Sequence, residues 1–140
     1  MKEKLGKAPQ ILDLYHGTRK TNPNDLIKSE EGFDVRFSKT GLWGKAIYFA
    51  EYSNYSHDYA FSKARTLQNM AEVKQMFQAK VIVGEFIESI EDNTLIMPPM
   101  KNAKQRYDSV KGVTQTHPVY MVYANQKAYP EYLITYQLTN

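Results

Sequence analysis

The chain has 140 residues, no cysteine and a formal charge of +3 from 18 basic and 15 acidic side chains. That length holds one hydrophobic core, and the lack of cysteine excludes a disulfide framework, a thiolate nucleophile and the common cysteine-containing zinc sites. The two signs of charge are mixed along the chain, the 3 histidines are scattered, and neither a membrane-length apolar run nor an apolar stretch behind the lysine-rich start is present, so a cytoplasmic protein without a metal is expected.

Ile11 to His16 is a short apolar run fit for a strand. Asn22-Pro23 then reads as a helix start, with Asn22 as cap and Pro23 at the first helical position, and the helix runs to about Glu31 and stops at Gly32. Phe33 to Gly44 mixes charge, Ser, Thr and Gly without a period and is expected to be a surface loop. It leads into a short buried strand, Ala46 to Phe49. Ser53 can cap a helix through Tyr59 toward Phe61, and the composition of Leu67 to Gln75 suits a second one. Phe77, Ala79, Val81 and Val83 alternate with less apolar neighbours, which predicts a strand reaching Glu88. Met97-Pro98-Pro99-Met100 ends regular structure. Val119 to Tyr123, apolar throughout, suits a central strand, and Tyr132 to Tyr136 follows it beyond a polar turn at Asn125-Gln126-Lys127. The expected class is α+β, mostly sheet with two or three helices beside it.

The aromatic load is unusual, with 11 tyrosines in a composition that is 13% aromatic. Half-buried rings at sheet edges account for most of them, yet a tyrosine also suits stacking on a heterocycle. His16 alone reads first as a core histidine satisfied by one hydrogen bond. Gly17 directly after it shifts the balance, because a glycine there lets the backbone approach a ligand's amide while His16 and Thr18 offer hydrogen bonds to hydroxyls. Tyr48 on a strand and Tyr59 on a helix could face each other across a slot about 7 Å wide, the gap that holds a planar ring on both faces.

Five segments together resemble one known family: Leu14-Tyr15-His16-Gly17-Thr18, Gly44-Lys45-Ala46-Ile47-Tyr48-Phe49-Ala50, Tyr55-Ser56 with Tyr59, Tyr107-Asp108-Ser109-Val110, and Asn125-Gln126 with Ala128 to Thr135. In order and spacing they are similar to the catalytic domain of the poly(ADP-ribose) polymerase family, specifically its mono-ADP-ribosylating, macrodomain-associated branch. The resemblance implies an ADP-ribosyltransferase fold with a split, mostly antiparallel sheet, in one catalytic domain spanning 1–140. That domain would lack the family's usual N-terminal extension and regulatory helical domain.

The same resemblance implies NAD+ as co-substrate, with no metal. His16 would bond the adenosine ribose, Gly17 and Ser56 the nicotinamide carboxamide, and Tyr48 and Tyr59 would sandwich the nicotinamide; Thr18 is a further binding candidate. Where polymer-forming members have a glutamate, the matching residue is Val119, so the catalytic set reads His16, Tyr48, Val119. Glu131 is expected in the turn before the last strand and not as a substitute. A carboxylate at that position stabilises positive charge as the nicotinamide–ribose bond breaks and polarises an acceptor hydroxyl during chain growth. With valine there, one ADP-ribose is expected to be transferred, to a protein acceptor that can be the chain itself, by a monomer with no membrane partner. Two other readings stay open: a silent domain kept as an NAD or interaction module, favoured by the missing glutamate, and a transferase acting on nucleic-acid ends, which the mild positive charge permits.

Overall fold

β-Branched and aromatic residues at alternate positions favour strands that bury one face, and strands dominate the computed structural model, which describes residues 10–63 and 72–137. β1 (Ile11–His16) leads to α1 (Pro23–Lys28), a 3-10 turn at Val35–Phe37, and the short strands β2 (Thr40–Gly41) and β3 (Gly44–Lys45). β4 (Ile47–Ala50), α2 (Ser53–His57), β5 (Phe61–Lys63) and β6 (Val73–Ile82) follow. The chain closes with β7 (Phe86–Glu88), β8 (Ser109–Thr114), β9 (His117–Val122) and β10 (Ala128–Gln137).

Among the described residues the main sheet runs in the order β10, β6, β1, β4, β9, β8, β7, with β5 also on β6, while β2 and β3 form a separate pair. The neighbours are antiparallel except β7 and β8, which are parallel. β6 is the spine: β10 lines one side of it from Val81 to Val73, and the other is shared by β1 and then β5. β1 matches β6 from Ile11 to His16, but it meets β4 at a single register pair, Tyr15 with Ala50. The sheet therefore splits between β1 and β4, next to His16.

Alternation puts a hydrophobic cluster on each face of the sheet. Ile47 pairs with Val122 and Phe49 with Tyr120 on one face, where Leu14, Phe33, Phe77, Ala79 and Val81 join them. Tyr48 with Met121 and Ala50 with Val119 lie on the other, against Trp43, Ala46 and Val110. β9 is buried on both faces from Val119 to Val122, as its unbroken apolar run predicts.

Several boundaries differ from the expected ones. The Asn22 side chain does cap α1, accepting from the Asn24 N–H, with Pro23 in the first turn, but the helix ends at Lys28, where Ser29 turns extended. Ser53 is the first residue of α2 and not its cap; Tyr52 holds the cap position without a side-chain hydrogen bond. Of the helix expected over 67–75, residues 67–71 lie outside those described, while Val73, Lys74 and Gln75 are strand, drawn there by the pairing of β6 with β5 and β10. The strand expected to reach Glu88 breaks at Gly84, whose φ of 57° leaves the extended region. Glu131 sits within β10, at a register shift between Pro130 and Tyr132, and not in a turn before it. An edge strand tolerates such a bulge and the proline beside it.

Candidate functional site

β1 ends at the split, and His16 turns its imidazole across the opening toward β4. Its Nδ1 lies 2.6 Å from the Tyr48 carbonyl oxygen. A carbonyl can only accept, so Nδ1 carries the proton and donates it, which leaves Nε2 as a lone-pair acceptor. Phe33 meets the ring edge-on at 5.1 Å and Phe49 lies at 5.3 Å. Burial among these groups lowers the His16 pKa below its ordinary 6.5, and the bond to Tyr48 only partly opposes that. The imidazole is thus neutral at pH 7, with Nε2 left as an acceptor.

Tyr48 and Phe49, adjacent on β4, turn to opposite faces. The Tyr48 hydroxyl is built into the β2–β3 hairpin: it accepts from the Trp43 N–H at 2.8 Å and donates to the Gly44 carbonyl at 2.8 Å. Burial raises its pKa, so it stays a phenol. The hairpin is fixed from elsewhere too. Trp43 Nε1–H donates to the Ser89 carbonyl at 3.1 Å, Tyr123 donates to the Trp43 carbonyl at 2.6 Å, and the Lys45 N–H bonds Leu95 at 3.0 Å. The Tyr48 ring is therefore a rigid wall, with its hydroxyl already spent.

α2 and the residues just after it pack against the chain that follows β1. Gly17 packs directly on the Tyr59 backbone, leaving no space for a Cβ, and the Arg19 N–H donates to the Tyr59 carbonyl at 2.7 Å. Tyr59 touches Tyr55 with ring centroids 5.2 Å apart and hydroxyls 3.2 Å apart, and Tyr55 in turn touches His117, which opens β9, at 5.2 Å. The Arg19 guanidinium lies 4.2 Å from the centre of the Tyr59 ring. Tyr48 and Tyr59 make no ring contact with each other among the described residues. Ser56, on the same helix, is 3% exposed, and its hydroxyl forms no hydrogen bond with a described residue.

Thr18 is spent locally, because its hydroxyl donates to the Thr21 carbonyl at 2.7 Å; only its oxygen lone pairs remain for a ligand. Val119 pairs with Ala50 on one side and Gly112 on the other. It is 1% exposed and belongs to the apolar cluster on Tyr48's face. Glu131 lies elsewhere on the sheet, paired with the Lys80 ammonium. Among the described residues, no group of three or more His, Cys, Asp or Glu could hold a metal ion.

Sequence reasoning missed Phe33, which wedges edge-on among His16, Phe49 and Phe77, as well as Arg19 and Tyr55. A lone phenylalanine opening a polar loop was the available signal for Phe33. Arg19 gave none, since its left-handed backbone, φ 54°, and its contact with Tyr59 are tertiary.

The profile of the poly(ADP-ribose) polymerase catalytic domain matches residues 3–119. Among curated proteins, a probable poly(ADP-ribose) polymerase of Dictyostelium discoideum is 33% identical over 124 residues, 89% of this chain and 33% of that one. The protein mono-ADP-ribosyltransferase PARP12 of Mus musculus is 34% identical over 145 residues, 99% of this chain and 19% of its own. The human protein mono-ADP-ribosyltransferase PARP14 is 28% identical over 98% of this chain and 7% of its own. The chain thus spans a third or less of these relatives. With a profile match over most of its length and a split, mostly antiparallel sheet, the chain belongs to the poly(ADP-ribose) polymerase catalytic domain family.

Proposed function

We propose that the chain is an NAD+-dependent mono-ADP-ribosyltransferase that moves one ADP-ribose to a protein side chain, its own included, and releases nicotinamide. The observation that supports this most is the opening beside His16. A neutral imidazole leaves Nε2 for a ribose hydroxyl, the tight approach of Gly17 to Tyr59 suits backbone contacts to an amide, and the Ser56 hydroxyl, which has no hydrogen-bond partner among the described residues, suits a carboxamide. Tyr48 and Tyr59 are the two rings available to stack a nicotinamide. Bound NAD+ would supply a ribose carbon with a good leaving group; the protein's part is to orient and to exclude water.

Val119 supports the prefix. The position that would steer an incoming ribose hydroxyl for chain growth offers only methyl groups packed among apolar neighbours. An acidic acceptor brings its own carboxylate, so a single transfer is still served. The relatives named mono-ADP-ribosyltransferases agree with that reading.

The missing carboxylate also favours a second reading, a domain that binds NAD+ without turning it over. Release of free nicotinamide from NAD+ separates the two. The enzyme reading expects release by the native chain and a loss of about 100-fold in His16→Ala, a typical cost of removing a polar group that orients the reacting bond. Tight NAD+ binding with no release would establish the silent module, and a duplex end as the preferred acceptor would move the assignment to nucleic acid.

A further inference from the structure

We propose that Asn125 is a positioning residue for His16. Its amide clamps the segment from Glu31 to Arg36, and through Phe33 that clamp holds the imidazole in place, a role in ligand binding that rests on the proposal that His16 bonds a ribose hydroxyl.

Asn125 lies in the turn between β9 and β10, 90 residues along the chain from Val35, yet its side chain is spent on that distant segment. Its Oδ1 accepts from the Val35 N–H at 2.8 Å, and its Nδ2 gives one proton to Glu31 and one to Asp34, each at 3.1 Å. Chemistry fixes this orientation of the amide, because a backbone N–H can only donate and a carboxylate can only accept. The turn that presents the amide is itself held. Gln126 is left-handed at φ 67°, and the Ile82 N–H of β6 donates to the Lys127 carbonyl at 2.7 Å.

The segment is tied from its own side as well. The Asp34 carboxylate, 3% exposed, is gripped by the Arg36 guanidinium, closest at 2.6 Å, and accepts the Arg36 N–H at 3.0 Å. Arg36 holds that carboxyl well below the usual carboxylate range, so it stays an acceptor for Asn125. Between α1 and the 3-10 turn the chain pairs with no strand among the described residues. The placement of Phe33 therefore rests on its own burial, at 2% exposure, and on the bonds Asn125 makes to residues before and after it.

Phe33 meets the imidazole edge-on at 5.1 Å and is braced by Phe49 and Phe77 at 5.2 and 5.5 Å. A histidine ring turns about two side-chain torsions, and the single bond from Nδ1 to the Tyr48 carbonyl leaves it free to pivot. Contacts with Phe33 and Phe49 remove that freedom and so set where Nε2 points. A clamp on the segment that carries Phe33 thus acts on His16 without touching it.

Two readouts on the whole chain test this. In NMR, the imidazole nitrogens of His16, assigned with His16→Gln, report its tautomer and titration, and the resonances of His57 and His117 serve as internal controls. In Asn125→Ala, and in Asp34→Asn, which breaks the clamp from its other partner, the His16 titration should move up toward 6.5 as water reaches a ring that Phe33 no longer seals. The controls should not move. A clamp that only stabilised the chain would lower the melting temperature and leave His16 alone, so an unchanged His16 titration in every folded variant overturns the proposal. Calorimetric binding of ADP-ribose then asks whether the effect passes through His16. Asn125→Ala should weaken it about three- to tenfold, the worth of one misplaced hydrogen bond, but by less than about twofold in a His16→Ala background. Equal losses in both backgrounds would overturn the role in binding. No binding by the native chain, or full affinity in His16→Ala, would instead overturn the site reading beneath it, while the titration still decides the clamp.

Discussion

His16 donates from Nδ1 to the Tyr48 carbonyl at 2.6 Å, and its pKa is lowered by burial. An imidazole that resists protonation in the folded state but titrates near 6.5 when unfolded adds stability that is complete above about pH 6.5 and lost as pH falls through the lower folded value. Melting temperature followed from pH 8 to pH 5 should therefore drop more steeply in the native chain than in His16→Gln. Parallel curves would remove the buried neutral imidazole from the account. At Tyr48, phenylalanine would keep the ring and strand the Trp43 N–H and Gly44 carbonyl, at a cost of about 1–3 kcal/mol. Urea denaturation should show that loss, and nicotinamide affinity should weaken because the wall is no longer pinned. The motif made Tyr48 visible in the sequence, but its hydroxyl bonds were not, since they depend on a hairpin whose residues have no periodicity.

β1, β4 and β9 were legible as elements because each is a short apolar run. The unbroken pattern of β9 even gave its central place. β8 was not seen: Lys111 and Gly112 interrupt its apolar residues, and Gly112 is there because the Trp43 ring occupies the space a Cβ would need. The helix expected over 67–75 shows the reverse error. Helix propensity favoured it, but pairing on both sides of β6 outweighs propensity at Val73 to Gln75. Gly17 is the hinge point of the site at this scale, since it lets the end of β1 lie on the backbone after α2. Gly17→Ala should drive β1 and Tyr59 apart, because the obstruction is backbone and cannot rotate away. The expected outcome is a loss of about 2 kcal/mol or more, with nicotinamide binding abolished. An unaltered urea midpoint would show that this approach is not tight.

Across the described residues, the main sheet carries an apolar cluster on each face, and it splits where β1 and β4 share a single register pair. Composition and strand patterns indicate the sheet-rich α+β class, whereas the split was implied by the family resemblance alone, because it depends on which strands pair and no local pattern states that. Val119 lies in the cluster under Tyr48 at 1% exposure, so a carboxylate there has no ionic partner and must be desolvated. Val119→Glu should lose on the order of 3 kcal/mol at pH 7. Burial would raise that carboxyl pKa, so part of the loss should return as pH falls and the group becomes neutral. A urea midpoint unchanged at pH 7 would mean that the position opens to solvent.

The central claim is single ADP-ribose transfer from the site at the split. Its most direct test is the intact mass of acceptor protein after incubation of the native chain with NAD+, alongside His16→Ala and Tyr59→Ala. Additions of one ADP-ribose unit per modified site, lost or strongly reduced in both variants, are predicted. Long ladders of repeated units, or equal modification by all three proteins, would contradict it.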